Sequence, residues 1–286
     1  MSDLYRHIRR VDRTMKEGDA MHRQVLYVLP ILIAGTAQAA AIPELSTHQA
    51  RYEMDLLSAT QDSQMTSIKG KVKFEIKNDC NGWISSEDYL LEFGYGSGDS
   101  AIIVSHFESW EDKTGNLYSF EVHEGSSYEP EKQFMGYASR NVAAAGNEAF
   151  NSLAPDSVAS LPDDVYFPVL HTRSILERAE KGEKLFSANI FFGAEPDKSL
   201  KRTSTVIGTL QKIDDPKLSD MLEMKSYYPV QVAYFDPAST QLTPDYEITF
   251  HMQPNGVIPY YEVDYGDFSL KASMTEIELL PTPDCS

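Results

Sequence analysis

The chain has 286 residues, 42% hydrophobic and 11% aromatic, enough material for a buried core and against wholesale disorder. Its 43 acidic and 25 basic residues leave a net charge of −18, which repels phosphate backbones and makes nucleic acid and anionic membrane surfaces poor partners. Two cysteines cannot build a four-cysteine zinc site, an iron–sulfur cluster or a disulfide-dense miniature scaffold; they form one bridge or remain two free thiols.

The N-terminal segment carries the order of a secretory signal. Residues 25–34, VLYVLPILIA, form a ten-residue apolar run, shorter than the roughly 20 residues a membrane-spanning helix needs. Arg23 precedes it, with Arg6, Arg9, Arg10, Arg13 and Lys16 upstream, and the small residues Ala37-Gln38-Ala39-Ala40-Ala41 follow. That charged–apolar–small sequence predicts cleavage between Ala39 and Ala40. The expected organisation is therefore a leader over 1–39, with its signal core at 21–39 and residues 1–20 as an over-extended start, then a single domain over 40–286. Absence of a cysteine at the cleavage point argues against lipid anchoring there, so export to the periplasm without stable membrane insertion is expected. Loss of the leader leaves 19 basic and 39 acidic residues, a net of −20.

From about residue 47 the dominant pattern is period two, the mark of strands with one buried face. Ile68, Val72, Phe74 and Ile76 alternate with Lys69, Lys71, Lys73 and Glu75. A second strand runs through Tyr89, Leu91 and Phe93. The stretch 101–110 meets 117–123 across a loop of turn formers at 111–116. Residues 124–164, with Ala143–Ala145 and scattered Pro, Ser and Asn, have little strand signal and read as an irregular crossover with room for a short helix. His171–Lys181 reads as a helix with Ile175, Leu176 and Ala179 on one face and Gly182 as its stop. Strands follow at 185–192, 203–212, 228–235, 245–252, 257–264 and 267–280. Asp215-Pro216 opens a short helix bearing Leu218, Met221 and Leu222. Asp236-Pro237 marks a loop, and Asn255-Gly256 predicts a type I′ hairpin turn with two positive φ angles. The pattern predicts an all-β chain with few helices, one large curved antiparallel sheet or a broken barrel, whose many strands must close or curl to protect their edges and so create a concave face.

No catalytic constellation emerges. Gly94-Tyr95-Gly96-Ser97-Gly98 puts glycine where a G-x-S-x-G nucleophile belongs, and it fails G-x-G-x-x-G because position 99 is Asp. There is no H-E-x-x-H. His106 and His123 fall on neighbouring strands without a recognisable third ligand, so no metal and no cofactor are expected. A serine–histidine–acid triad assembled from distant strands is recognised by geometry, not by spacing. Cys80 follows the strand at 66–77 and Cys285 is penultimate; in an oxidising compartment the pair reads most simply as a structural disulfide closing a loop of about 206 residues, with two free thiols as the alternative. No C-x-x-C is present, so a redox role is not indicated.

Several segments carry a family resemblance: H-Q-A-R-Y-E-M-D-L at 48–56, I-K-G-K-V-K-F-E at 68–75 leading into Cys80-Asn81-Gly82-Trp83, F-P-V-L-H-T-R-S-I-L-E-R-A-E-K-G at 167–182, Y-P-V-Q-V-A-Y-F-D at 228–236, P-D-Y-E-I-T-F at 244–250, and N-G-V…V-D-Y-G-D-F at 255–268. Each is weak alone; their order and spacing are specific. Over about His48 to Cys285 the chain resembles the EipB family, periplasmic cell-envelope integrity proteins of Gram-negative, mainly alphaproteobacterial, organisms. The resemblance implies a β-spiral with a helix packed in its concave face and a disulfide between Cys80 and Cys285. Tyr228, before Pro229-Val230, stands where the family pattern leads one to expect tryptophan. The family brings no catalytic residues.

The leading functional expectation is a non-catalytic envelope factor whose concave face binds a lipid, a lipoprotein or an envelope protein. In that reading the helix fills or opens the cavity through His171, Thr172, Arg173, Ile175 and Leu176. The alternatives are a hydrolase acting on an envelope polymer and a purely structural protein-interaction module.

Overall fold

The computed structural model describes residues 44–142, 146–153, 158–194 and 199–285. The expected leader, its cleavage point at Ala39-Ala40 and the stretch Ala143–Ala145 lie outside the described residues. Before the main helix come β1 (His48–Ala59), β2 (Met65–Asn78), β3 (Gly82–Tyr95), β4 (Ser100–Asp112), β5 (Leu117–Ser126), β6 (Lys132–Val142), β7 (Gly146–Asn151), β8 (Val158–Ser160) and β9 (Val165–Tyr166). Helix α1 (Pro168–Glu180) is followed by β10 (Leu185–Phe191), β11 (Leu200–Ile207), β12 (Gln211–Lys212), the short helix α2 (Pro216–Met221), β13 (Ser226–Phe235), β14 (Tyr246–Met252), β15 (Tyr260–Asp264) and β16 (Phe268–Leu279).

The strands form one unclosed sheet in the order β8-β7-β6-β5-β4-β3-β2-β1-β16-β15-β14-β13-β11-β10-β9, with β12 beside β13. Every pairing is antiparallel except β9 with β10. Long hairpins run through its first half, and β16 returns to pair with β1, so the first and last described strands meet in mid-sheet. A sheet this wide curls, and its concave side collects the inward half of each alternating pattern.

That interior holds two linked clusters and a third around β5. Ile76, Val230, Val232, Phe250 and Met252 pack around Ile175, Leu176 and Ala179 of α1. Ile68, Val72, Tyr52, Met54, Leu270 and Ala272 form the second cluster, which the α2 residues Leu218 and Met221 cover. Tyr118, Phe120, Phe134, Phe167 and Phe191 form the third, where Tyr118 and Phe167 stack at 5.1 Å. The expected large curved, mostly antiparallel sheet with a helix packed against it is thus the observed architecture of the described residues.

Helix α1 starts three residues earlier than its sequence pattern indicated, because Pro168 supplies a first-turn residue with a pre-set φ. It stops where expected: Gly182 takes φ 75°, its N–H donates to Ala179 and that of Glu183 to Arg178, a Schellman arrangement. Asp215 caps α2 as its sequence implied, accepting from the amides of Lys217 and Leu218.

Three expectations need correction. Residues 124–164 are not an irregular crossover but carry the end of β5 and strands β6, β7 and β8. Their inward positions are filled by small residues such as Gly136, Ala138 and Ala149, because Phe120 occupies the space; a Cβ on Gly136 would come within 2.3 Å of its ring. The apolar alternation is therefore too faint to read. The strand foreseen over 203–212 breaks after Ile207, where Gly208 lies against Pro229, and resumes as the two-residue β12. The hairpin at Asn255-Gly256 exists, but only Gly256 has a positive φ, 84°, and the Gly256 amide bonds the Gln253 carbonyl. This is a longer loop with glycine in the left-handed position that follows a tight turn, not type I′.

Candidate functional site

A cavity of about 370 Å³ lies between α1 and the concave sheet. Strand register assembles it. Val72, Phe74 and Ile76 face inward on β2, and pairing places Tyr89, Glu87 and Ser85 of β3 directly opposite them. On the other side of β2, Tyr52 pairs with Val72 and His48 with Ile76. Val232, Ile248, Phe250 and Tyr261 complete the far wall, while Pro168, Val169, His171, Thr172 and Ile175 of α1 form the roof. The volume falls in the range of small-molecule sites, about 300–1,000 Å³.

The helix is held over this space by a residue the sequence did not single out. Phe167, at the N-cap, provides no side-chain cap. Glu111, from β4 and 2% exposed, does so instead: its Oε2 accepts from the Val169 amide and its Oε1 from the Leu170 amide, each at 2.7 Å. Burial pushes this carboxyl up to about 8, with the two amides pulling the other way. Arg173 donates to the Lys113 carbonyl at 3.3 Å, and Gly115 lets the β4–β5 loop approach Leu170, since a Cβ there would fall 2.6 Å from that side chain. Glu111 is on the inward face of β4, since it pairs with the fully buried Tyr118; a carboxylate at an inward position was the signal available to sequence reasoning.

Glu87 was missed too. Extending the Tyr89, Leu91, Phe93 alternation one step back puts it on the inner face. Its carboxylate accepts from the Tyr89 hydroxyl at 2.5 Å, and Tyr261 closes on the same pair from β15. Burial raises the Glu87 carboxyl above its usual range, with the Tyr89 hydrogen bond opposing, and raises the hydroxyls of Tyr52, Tyr89, Tyr234 and Tyr261. Tyr52 donates to the Ile258 carbonyl at 2.9 Å. Burial lowers the His48 imidazole below its usual range, opposed by the hydrogen bond between its Nδ1 and the Ser46 carbonyl at 2.8 Å. Ser85 and Ser109 share a hydroxyl–hydroxyl hydrogen bond of 2.9 Å.

Of the five helix residues proposed from sequence, the structure brings His171, Thr172 and Ile175 to the cavity. Leu176 packs in the core cluster, and Arg173 anchors the helix to the neighbouring loop. Thr172 donates to the Pro168 carbonyl at 2.9 Å. His171 stacks on Phe186 with ring centres 5.6 Å apart, and burial lowers its imidazole to about 4. Its Nε2 has no hydrogen-bond partner among the described residues.

His106 and His123 do sit side by side, paired across β4 and β5 with ring centres 6.1 Å apart. They lie in an open groove away from the cavity, His106 bound to Asp88 at 2.7 Å and His123 to Glu121 at 2.9 Å. Among the described residues no group of three histidines, cysteines or acids is placed to hold a metal ion.

Cys80 and Cys285 are joined, with Cα atoms 5.5 Å apart. Cys80 occupies the β2–β3 turn at φ 73°, a left-handed conformation stabilised where Asn78 Oδ1 accepts from its amide. The bridge ties the segment after β16 to the turn leading into the strand that carries Glu87.

Comparison with known proteins bears on this geometry. A model of the EipB-like family matches residues 39–281. The cell envelope integrity protein EipB of Brucella abortus is 24% identical over 253 residues, covering 87% of this chain and 89% of that protein. A crystal structure of a beta-barrel-like protein of a domain of unknown function from Brucella abortus superposes with a TM-score of 0.76 at 22% identity, covering 84% of this chain and all of that one.

Proposed function

The chain belongs to the EipB-like family, and we propose that it is a non-catalytic factor of the cell envelope that serves envelope integrity by holding an apolar chain, of a lipid or an acylated envelope protein, beneath α1. The observation that carries this reading is the cavity of about 370 Å³ walled by Val72, Phe74, Ile175, Val232, Ile248 and Phe250. An apolar space of this size gains roughly 25 cal/mol for each Å² of ligand apolar surface it removes from water. Binding is favoured over hydrolysis because Ser85, the serine among the described residues lining the cavity, bonds the Ser109 hydroxyl rather than a histidine. A role in the envelope follows the name of the Brucella relative, and the signal order at 25–41 supports a periplasmic product. Among the described residues no helix is long and apolar enough to cross a membrane.

The test is native mass spectrometry and solvent extraction of the protein purified from its own periplasm. A copurifying hydrophobic molecule at up to one per chain is expected. Recovery of the bare chain, together with no uptake of envelope lipids or lipoproteins, overturns the reading and leaves a protein-interaction module.

A further inference from the structure

Resting on that cavity reading, we propose that the ligand is an amphiphile with a positively charged ammonium head, seated against the Glu87 carboxylate, with its apolar chain running beneath α1. Among the described residues that line the cavity, Glu87 is the only acid and none is a lysine or arginine. A phosphate or carboxylate head would therefore be buried beside an acid with no cation to offset the cost. The N-terminus of α1 would ordinarily invite an anion, but its Val169 and Leu170 amides are already given to Glu111.

A cation meets the opposite surroundings. Glu87 accepts one hydrogen bond, from Tyr89, and a carboxylate has capacity for more. An ammonium brings N–H donors for the remaining acceptor sites of Glu87. The rings of Tyr52, Tyr89 and Tyr261 gather around the same carboxylate, with Tyr52 and Tyr261 edge-on at 5.7 Å, and aromatic walls favour a desolvated cation.

The experiment compares three probes sharing one tail: decylammonium, decanol and decanoate, titrated by calorimetry into the full exported chain after solvent stripping. Decylammonium is expected to bind about ten-fold or more tighter than decanol, and decanoate more weakly than decanol. In Glu87→Gln the advantage of decylammonium over decanol should disappear while decanol binding persists, which also shows that the variant is folded. If that variant does not fold, the order of the three heads on the unaltered protein decides alone. Decanol or decanoate binding as tightly as decylammonium overturns the head assignment and leaves the cavity reading standing. Binding of none of the three overturns both.

Discussion

Replacing Cys285 with serine is expected to cost up to roughly 5 kcal/mol of stability and to lower Tm by about 10–20 °C in oxidising buffer. Cys80 and Cys285 are 205 positions apart, and a cross-link of that span removes a large part of the unfolded chain's freedom. The figure is an upper one because residual structure in the unfolded chain shrinks the entropy at stake. The bridge also holds down the tail beyond β16, which pairs with β1 as far as Leu279. Cys80→Ser and reduction of the unaltered protein should give the same shift. A Tm unchanged by substitution and by reductant contradicts a stabilising bridge.

Glu111→Ala is expected to cost about 3–5 kcal/mol, because it strands the Val169 and Leu170 amides without acceptors and leaves a void under the helix. Glu111→Gln keeps the volume and one acceptor and should cost less. The same carboxyl makes a pH signature. It sits at about 8 in the fold against an ordinary 4.5, chiefly through burial. Between those values the folded chain retains a proton that the unfolded chain has released, so this contribution is present below about pH 4.5 and is lost as pH rises through about 8. The slope is at most about 1.4 kcal/mol per pH unit. His171 acts in the opposite sense: lowered to about 4 by burial, first, and by Arg178, it costs stability as pH falls from 6.5 toward about 4. Denaturant unfolding of the native chain and Glu111→Gln side by side isolates the acid: the stability advantage of the native chain should shrink with rising pH between about 5 and 8. A difference that stays flat across that window contradicts the buried-carboxyl account.

Much of the fold was legible because a one-sided sheet writes itself as period two. The β2 alternation, the helix face of Ile175, Leu176 and Ala179, the Gly182 stop and the Asp215 cap all read directly. The β6–β7 region did not, since close packing against Phe120 requires glycine and alanine where a strand pattern needs bulk. The site was half legible. His171, Thr172 and Ile175, read from the helix, line the cavity, but Glu87 on its wall and Glu111, which holds the helix over it, were not read. Glu87 and Glu111 are two among 43 acids, and only strand register distinguishes an inward carboxylate from a solvated one. Arg173 illustrates the converse: its place in the sequence suggested the cavity, while its reach to the Lys113 carbonyl makes it an anchor.

The central claim is that the space beneath α1 receives an apolar chain, and its most direct measurement is saturation binding of an environment-sensitive fluorescent fatty-chain probe to the stripped protein and to Val232→Phe. Val232 is 1% exposed and faces the cavity from β13, so the larger ring takes up part of the available volume. The expected result is saturable binding of one probe per unaltered chain, reduced ten-fold or more in Val232→Phe while its unfolding stays cooperative. Equal binding by a folded Val232→Phe, or no saturable binding by the unaltered protein, would contradict it.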